Sequence, residues 1–223
     1  MKLIHIIRER DTMTENIEVL THSSIRISSS TNQIIYIDPY NIDILRNDAD
    51  YIFITHDHYD HYSPEDIRKV VKDSTVFIVP EKMSEMLHNE GYKNVTAVCP
   101  GTCRSILGLE FETVASYNLF KPFHPKKNGW CGYTLTIDGK RIYIAGDTDM
   151  TKESKAVKCD IAMVPIGATF TMDSKTAAEL INIIKPAVAI PTHYGSVVGK
   201  PEDADIFAKN VKAPVKVETK IRF

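Results

Sequence analysis

Six consecutive positions constrain this chain more than any others: His56-Asp57-His58-Tyr59-Asp60-His61, directly after the run Tyr51-Ile-Phe-Ile-Thr. The run reads as a strand, Tyr51–Thr55, rich in aromatic and β-branched residues. Ser63-Pro64-Glu65-Asp66 then starts a helix: Ser as N-cap, Pro at the first helical position, acids in the positive first turn. The fold must therefore deliver a strand, a tight loop carrying four potential metal ligands, and a helix in succession. Imidazole suits zinc and its neighbours, carboxylate adds charge neutralisation, and one metal wants three or four ligands. His56 and His58, two apart, can serve one ion; Asp60 and His61 then point toward a second. Clustering so many titratable groups is costly without a cation. Asp57 should project away from the pair around it and hydrogen-bond the loop.

The rest of the chain supplies a matching framework. Strands are expected at Ile17–Thr21, Ser24–Ser28, Gln33–Ile37, Thr75–Val79, Asn94–Val98, Arg104–Leu107 and Leu109–Ser116. Asp138-Gly139 joins Tyr133–Ile137 to Arg141–Ala145 as a hairpin. The last third alternates strand and helix: Ile161–Pro165, Thr176–Ile184, Ala187–Pro191, Glu202–Asn210 and Val215–Glu218. No linker or repeat divides residues 1–223, so one α/β domain is expected, with sheets and helices outside them. Periodicity alone does not choose between one open sheet and two packed ones.

Three later residues share the context of a strand end or an adjoining loop. Asp147 follows Arg141-Ile-Tyr-Ile-Ala-Gly, His193 follows Ala187-Val-Ala-Ile-Pro-Thr, and His124 sits in the loop before the Tyr133 strand. Asn118, just past Leu109–Ser116, rivals His124 for the strand-end position, whereas His88 falls in a helix. Histidine ligands need acceptors that fix their tautomers, and Asp38 and Asp149 are candidates. His22, between two strands, is either another such support or a polar turn residue. Asn118, Lys121 and Tyr194 are candidate substrate contacts, with Tyr194 equally suited to packing. Gly167–Asp173 could line the pocket.

The ordered set His56-x-His58-x-Asp60-His61, His124, Asp147 and His193 resembles the metallo-β-lactamase superfamily of metal-dependent hydrolases. Thr21-His-Ser-Ser-Ile, Ile35-Tyr-Ile-Asp38-Pro39, Ala145-Gly-Asp-Thr148 and Pro191-Thr-His-Tyr-Gly195 are similar to the branch of ascorbate-phosphate lactonase and N-acyl-phosphatidylethanolamine phospholipase D. The resemblance implies a four-layer αβ/βα sandwich, two mixed sheets with outer helices and the metals at one edge. It further implies that His56, His58 and His124 hold one metal, that Asp60, His61 and His193 hold the other, and that Asp147 bridges them. Two divalent ions are expected, zinc first, with manganese or iron as alternatives. The implied chemistry is attack by a metal-bound hydroxide on a small ester, lactone or phosphodiester, with Asp60 as the catalytic proton acceptor.

Composition narrows the classes further. A net charge of −2 without a basic run argues against a nucleic-acid reader, and no apolar stretch approaches the roughly 18 residues of a membrane span. The segment MKLIHIIRERD has no small-residue cleavage site, and the four cysteines read as ordinary reduced thiols, so a cytoplasmic location is expected. Two divalent ions would turn −2 into +2, which favours an anionic or oxygen-rich small-molecule substrate. Alternatives within the fold are a mononuclear-iron oxidoreductase of the sulfur dioxygenase type and a nuclease. The oligomeric state stays open.

Overall fold

The computed structural model describes residues 14–223, so the expectation placed on the segment MKLIHIIRERD lies outside the described residues. One sheet holds β1 (Ile17–Thr21), β2 (Ser24–Ser28), β3 (Ile34–Ile37), β4 (Tyr51–Phe53), β5 (Val76–Pro80) and β6 (Val95–Val98), in that spatial order. It is antiparallel from β1 to β3 and parallel from β3 to β6. The second holds β7 (Cys103–Ile106), β8 (Leu109–Ala115), β9 (Cys131–Ile137), β10 (Lys140–Ile144), β11 (Ile161–Pro165), β12 (Val188–Thr192) and β13 (Lys216–Val217), again side by side in chain order. It is antiparallel up to β10 and parallel beyond. Among the described residues the α-helices are α1 (Pro64–Val70), α2 (Ser84–Asn89), α3 (Lys152–Lys155), α4 (Ser174–Ile184) and α5 (Asp203–Asn210).

Period-two alternation on the central strands explains the layering. Tyr51 and Phe53 of β4 enter the core between the sheets, where Phe53 meets Phe111 at 5.4 Å and Tyr133 at 5.0 Å, both edge-on. Ile52 and Ile54 face the other way and share a cluster with Ile67, Val70, Met83 and Leu87 of the helical layer. Each such side chain stabilises the fold by about 1.5–3 kcal/mol on full burial. This double burial is why the strand reads as a continuous apolar run. On the far side, Ala177, Leu180 and Ile181 of α4 and Phe207 of α5 join the larger cluster and cover the second sheet. The architecture is two mixed sheets with helices, as the resemblance implied.

The signals read from the sequence act locally as expected, with small shifts. Ser63 accepts from the Asp66 N–H and caps α1. Asp138 and Gly139 take φ of +50° and +73°, the left-handed pair that a two-residue hairpin requires. β4 ends at Phe53, two residues before the expected Thr55, because the Thr55 N–H and hydroxyl turn to the Asp38 carboxylate (2.7 and 2.6 Å). The single turn α3, capped by Thr151, was not anticipated. What matters for chemistry is polarity: β3, β4, β10, β11 and β12 run parallel within their sheets, and their C-terminal ends deliver Asp38, His56, Asp147, Gly167 and His193 to one edge. Carboxyl ends of parallel strands are where α/β folds place ligand sites.

Candidate metal centre

Strand ends aim most of the chemistry-bearing side chains, whereas His124 comes from the loop between β8 and β9 and His22 from the turn between β1 and β2. The loop after β4 carries His56 to His61 and doubles back, the His61 and Tyr62 N–H groups both donating to the His58 carbonyl. Gly146 takes φ +63° at the end of β10 and packs so near Thr55 that an added Cβ would lie 3.1 Å from the Thr55 Cβ. A side chain there would push Asp147 and the His56 loop apart. His22, Asp38 and His193 all take left-handed φ values of +46°, +48° and +56°. Such conformations are uncommon in non-glycine residues and cluster at functional sites, because the surroundings must hold them in place.

The rings form two groups that meet at His56 and His61, whose centroids are 4.0 Å apart. His56, His58 and His124 have centroids 4.7, 4.9 and 5.1 Å apart, with Trp130 against all three at 5.0–5.5 Å. His22, Asp60, His61 and His193 form the second group. Asp147 lies between them: its oxygens are 3.3 Å from His61 Nε2, 3.4 Å from His124 Nε2 and 3.0 Å from His193 Nε2. Within each group, one donor atom per residue lies within 4.8 Å of the others.

Supporting hydrogen bonds fix which nitrogen faces the centre. Thr55 donates its proton to Asp38 (2.6 Å), so its oxygen accepts from His56 Nδ1–H at 2.9 Å. His61 Nδ1–H donates to Asp38 Oδ2 at 2.7 Å. His124 Nδ1–H and the His124 main-chain N–H both donate to Asn118 Oδ1, at 3.0 and 3.1 Å. His56 and His124 therefore present an Nε2 lone pair inward, and His61 aims its Nε2 at the same space. The Nε2 atoms of His56, His61, His124 and His193, together with Asp147 Oδ1, are buried and without a hydrogen-bond partner. Leaving a buried polar atom unsatisfied costs about 1–3 kcal/mol, so five that converge define a space built for an ion. Nitrogen and carboxylate donors in this number suit zinc, manganese or iron, so the residues fit the implied cations.

Charge separates the groups. Burial, partly offset by Asp147, holds His124 down at about 4, and burial with neighbouring imidazoles holds His56 well below its ordinary value. For His61, burial pulls the other way, but Asp147 and Asp38 outweigh it and raise the ring well above its ordinary value. His193 is raised in the same manner by Asp147 and Asp60. Burial would raise Asp60, yet the facing His193 and His22 rings outweigh it and hold the carboxyl low. Protons on His61 and His193 thus balance the carboxylates, a task a bound cation takes over.

Several expectations need correction. Asn118 is neither a ligand in place of His124 nor a lining residue of the cavity in front of the centre. It orients His124, and its Nδ2 donates to the Phe170 carbonyl at 2.8 Å. Lys121 is engaged by Asp149 at 2.8 Å and by the Thr171 carbonyl, so it braces a loop instead of meeting substrate. Asp149 accepts from Lys121 and the Leu119 N–H and supports no histidine; Asp38 alone of that pair does so. Tyr194 takes the packing role: fully buried, its ring meets Phe223 at 5.6 Å. Asp57 turns outward as expected but lines the cavity, and among the described residues its side chain makes no hydrogen bond. His22 was undervalued. Its Nε2 is 3.2 Å from Asp60 Oδ2, its ring lies 3.9 Å from the His193 ring at a 42° tilt, and its carbonyl accepts the His193 N–H at 3.0 Å. Its placement in Thr21-His-Ser-Ser, between two short strands at the metal edge, was the available signal.

Comparison with known proteins agrees with this geometry. The profile described as the beta-lactamase superfamily domain matches residues 16–193. A UPF0173 metal-dependent hydrolase of Methanosphaera stadtmanae is 30% identical over 215 residues, covering 88% of this chain and 91% of that protein. The crystal structure of a Parabacteroides distasonis protein superposes with a TM-score of 0.77 at 29% identity, covering 92% and 93% of the two chains. The diiron β-hydroxylase CmlA of Streptomyces venezuelae shares the fold alone, with a TM-score of 0.75 at 13% identity, over 92% of this chain and 52% of that one. With strand-end ligands, two mixed sheets and these matches in agreement, the chain belongs to the UPF0173 metal-dependent hydrolase family of the beta-lactamase superfamily.

Proposed function

We propose that the chain, as one domain over residues 1–223, holds two divalent cations and hydrolyses a small ester, lactone or phosphodiester. The observation that carries this reading is the convergence of five buried, unpartnered donor atoms at the strand ends. His56, His58 and His124 would hold one cation, Asp60, His61 and His193 the other, with Asp147 shared. Zinc is the first candidate, manganese or iron the alternatives. Motif segments around His22, Asp38, Asp147 and His193 support the finer placement beside ascorbate-phosphate lactonase and N-acyl-phosphatidylethanolamine phospholipase D.

When bound, such cations acidify water and polarise the scissile oxygen. The chain's own residues do the remainder. Asp60, steadied through Oδ2 by His22 Nε2, orients the attacking water and accepts its proton. Asp38, Thr55 and Asn118 keep the Nδ1 protons of His61, His56 and His124 in place. Trp130, against three imidazoles, excludes water from one flank.

The test is a panel of chromogenic esters, lactones and phosphodiesters on metal-analysed protein beside Asp60→Asn. The substitution should lower turnover by about 10²–10⁴-fold, the usual share of a positioned proton acceptor. Equal rates for the two proteins on every hit would remove Asp60 from the mechanism. A mononuclear-iron oxidoreductase of the sulfur dioxygenase type is the second reading, favoured by a histidine and carboxylate donor set that also suits iron; one iron per chain with no hydrolysis would select it.

A further inference from the structure

We propose that the substrate is an uncharged ester or lactone bearing an aromatic ring, which an apolar cavity in front of the centre receives; this rests on the hydrolase reading above. The cavity measures about 430 Å³, within the range of small-molecule sites. His58, Asp60 and Asp147 form its floor, so a bound group sits directly on the reacting edge. Its walls are Tyr59, Phe123, Phe170 and Val197. Phe123 and Phe170 meet edge-to-face at 4.7 Å and 90°. Tyr59 is 66% exposed and Phe123 42%; of the other large aromatics among the described residues only Phe120 and Phe223, which do not line the cavity, are as open. Apolar rings left open to solvent beside a buried polar centre mark a surface kept for a ligand.

Two further observations decide the chemistry of that ligand. The wall is tied to the catalytic loop, because Asn118 holds the Phe170 carbonyl with Nδ2 and His124 with Oδ1. It is therefore formed before any substrate arrives. With Asp60 and Asp147 given to the centre, the charge that the rest of the lining adds is Asp57, an acid. Two of the three lysines of the adjoining loop are turned to Asp149 (Lys121, 2.8 Å) and Glu153 (Lys126, 2.7 Å), and the third, Lys127, does not line the cavity. A carboxylate or phosphate on the non-reacting part of a substrate would meet apolar rings and Asp57, whereas an aromatic ring gains edge-to-face contacts. Charge counting from the sequence favoured an anionic substrate; the lining points the other way. In the reaction, the acyl carbon–oxygen bond breaks and the oxygen of water joins the acyl carbon. One proton passes through Asp60 to the departing alkoxide. No oxidant or second substrate is consumed.

The experiment compares γ-phenyl-, γ-methyl- and γ-carboxy-γ-butyrolactone on the zinc-loaded protein by proton release, with bis(p-nitrophenyl) phosphate alongside. The phenyl lactone should exceed the methyl lactone by about tenfold in kcat/KM, and the carboxy lactone should be slowest. Phe123→Leu and Phe170→Leu should each narrow the phenyl-to-methyl ratio. Independently of turnover, 2-phenyltetrahydrofuran should change the fluorescence of Trp130, the one tryptophan of the chain, in a saturable way that Phe170→Leu weakens. Equal lactone rates, a preference for the carboxy lactone, a ratio untouched by both substitutions, or no saturable fluorescence change would overturn the inference and leave the hydrolase reading standing. Cleavage of the phosphodiester alone would do the same. No hydrolysis of any of the four compounds would overturn both.

Discussion

His56, His58 and His124 meet against the Trp130 ring, with no carboxylate in their own group and with half-buried His58 on the cavity floor. Asp60, His61, His193 and His22 interlock with Asp38 and Asp147 in a knot that solvent barely reaches. The same imidazoles thus sit in two environments. In the first, neutral partners, a threonine hydroxyl and an asparagine amide, hold the rings. In the second, carboxylates hold them, so charge sets both their orientation and their protonation. The open group should exchange its cation readily and touch substrate; the buried group should bind first and more tightly.

The strongest way to break that distinction is Asp147→Asn, because Asp147 faces both groups. Removing one charge from a buried pair costs about 3–5 kcal/mol, so calorimetric titration should show both binding steps weakened by about two orders of magnitude or more. Loss of one step only would place Asp147 in a single pocket. Asp38→Asn sharpens the comparison. By taking the carboxylate from His61 it should weaken the buried step by about 10–100-fold and leave the open step nearly as it was. Asn118→Ala is the mirror experiment, expected to weaken the open step alone, by about tenfold, the low end of such effects.

The smallest effect is the pH response. His61 and His193 are raised, so they remain protonated above the 6.5 of an ordinary imidazole, and a cation must displace those protons. Affinity of the buried group should therefore rise with pH beyond 6.5 and level off once both rings are neutral. His56 and His124 are lowered and already neutral there, so these two rings give up no proton to a cation above 6.5. Proton release measured in two buffers of different ionisation enthalpy checks this; equal release at both steps would contradict it.

The residue types of the cluster and their order were legible in the sequence because strand, loop and helix signals around His56–His61 are local. So was the helix start at Ser63, whose side chain completes the cap within its own turn. What the sequence hid is non-local. That Asn118 serves His124 depends on a loop folding back across six residues. That Tyr194 points into the core and His193 into the site depends on the left-handed backbone at His193. The engagement of Lys121 by Asp149 likewise appears only when the loops after β8 and β10 meet. The support of Asp60 by His22 crosses 38 residues and two sheet connections, so a single histidine between strands carried little sign of it.

The most direct measurement is stepwise zinc titration of metal-free protein, with bound metal counted per chain, for wild type beside Asp38→Asn. The account predicts two equivalents in two resolved steps, the tighter one releasing protons and selectively weakened by Asp38→Asn. A single equivalent at saturation, or two indistinguishable steps weakened together, would contradict it.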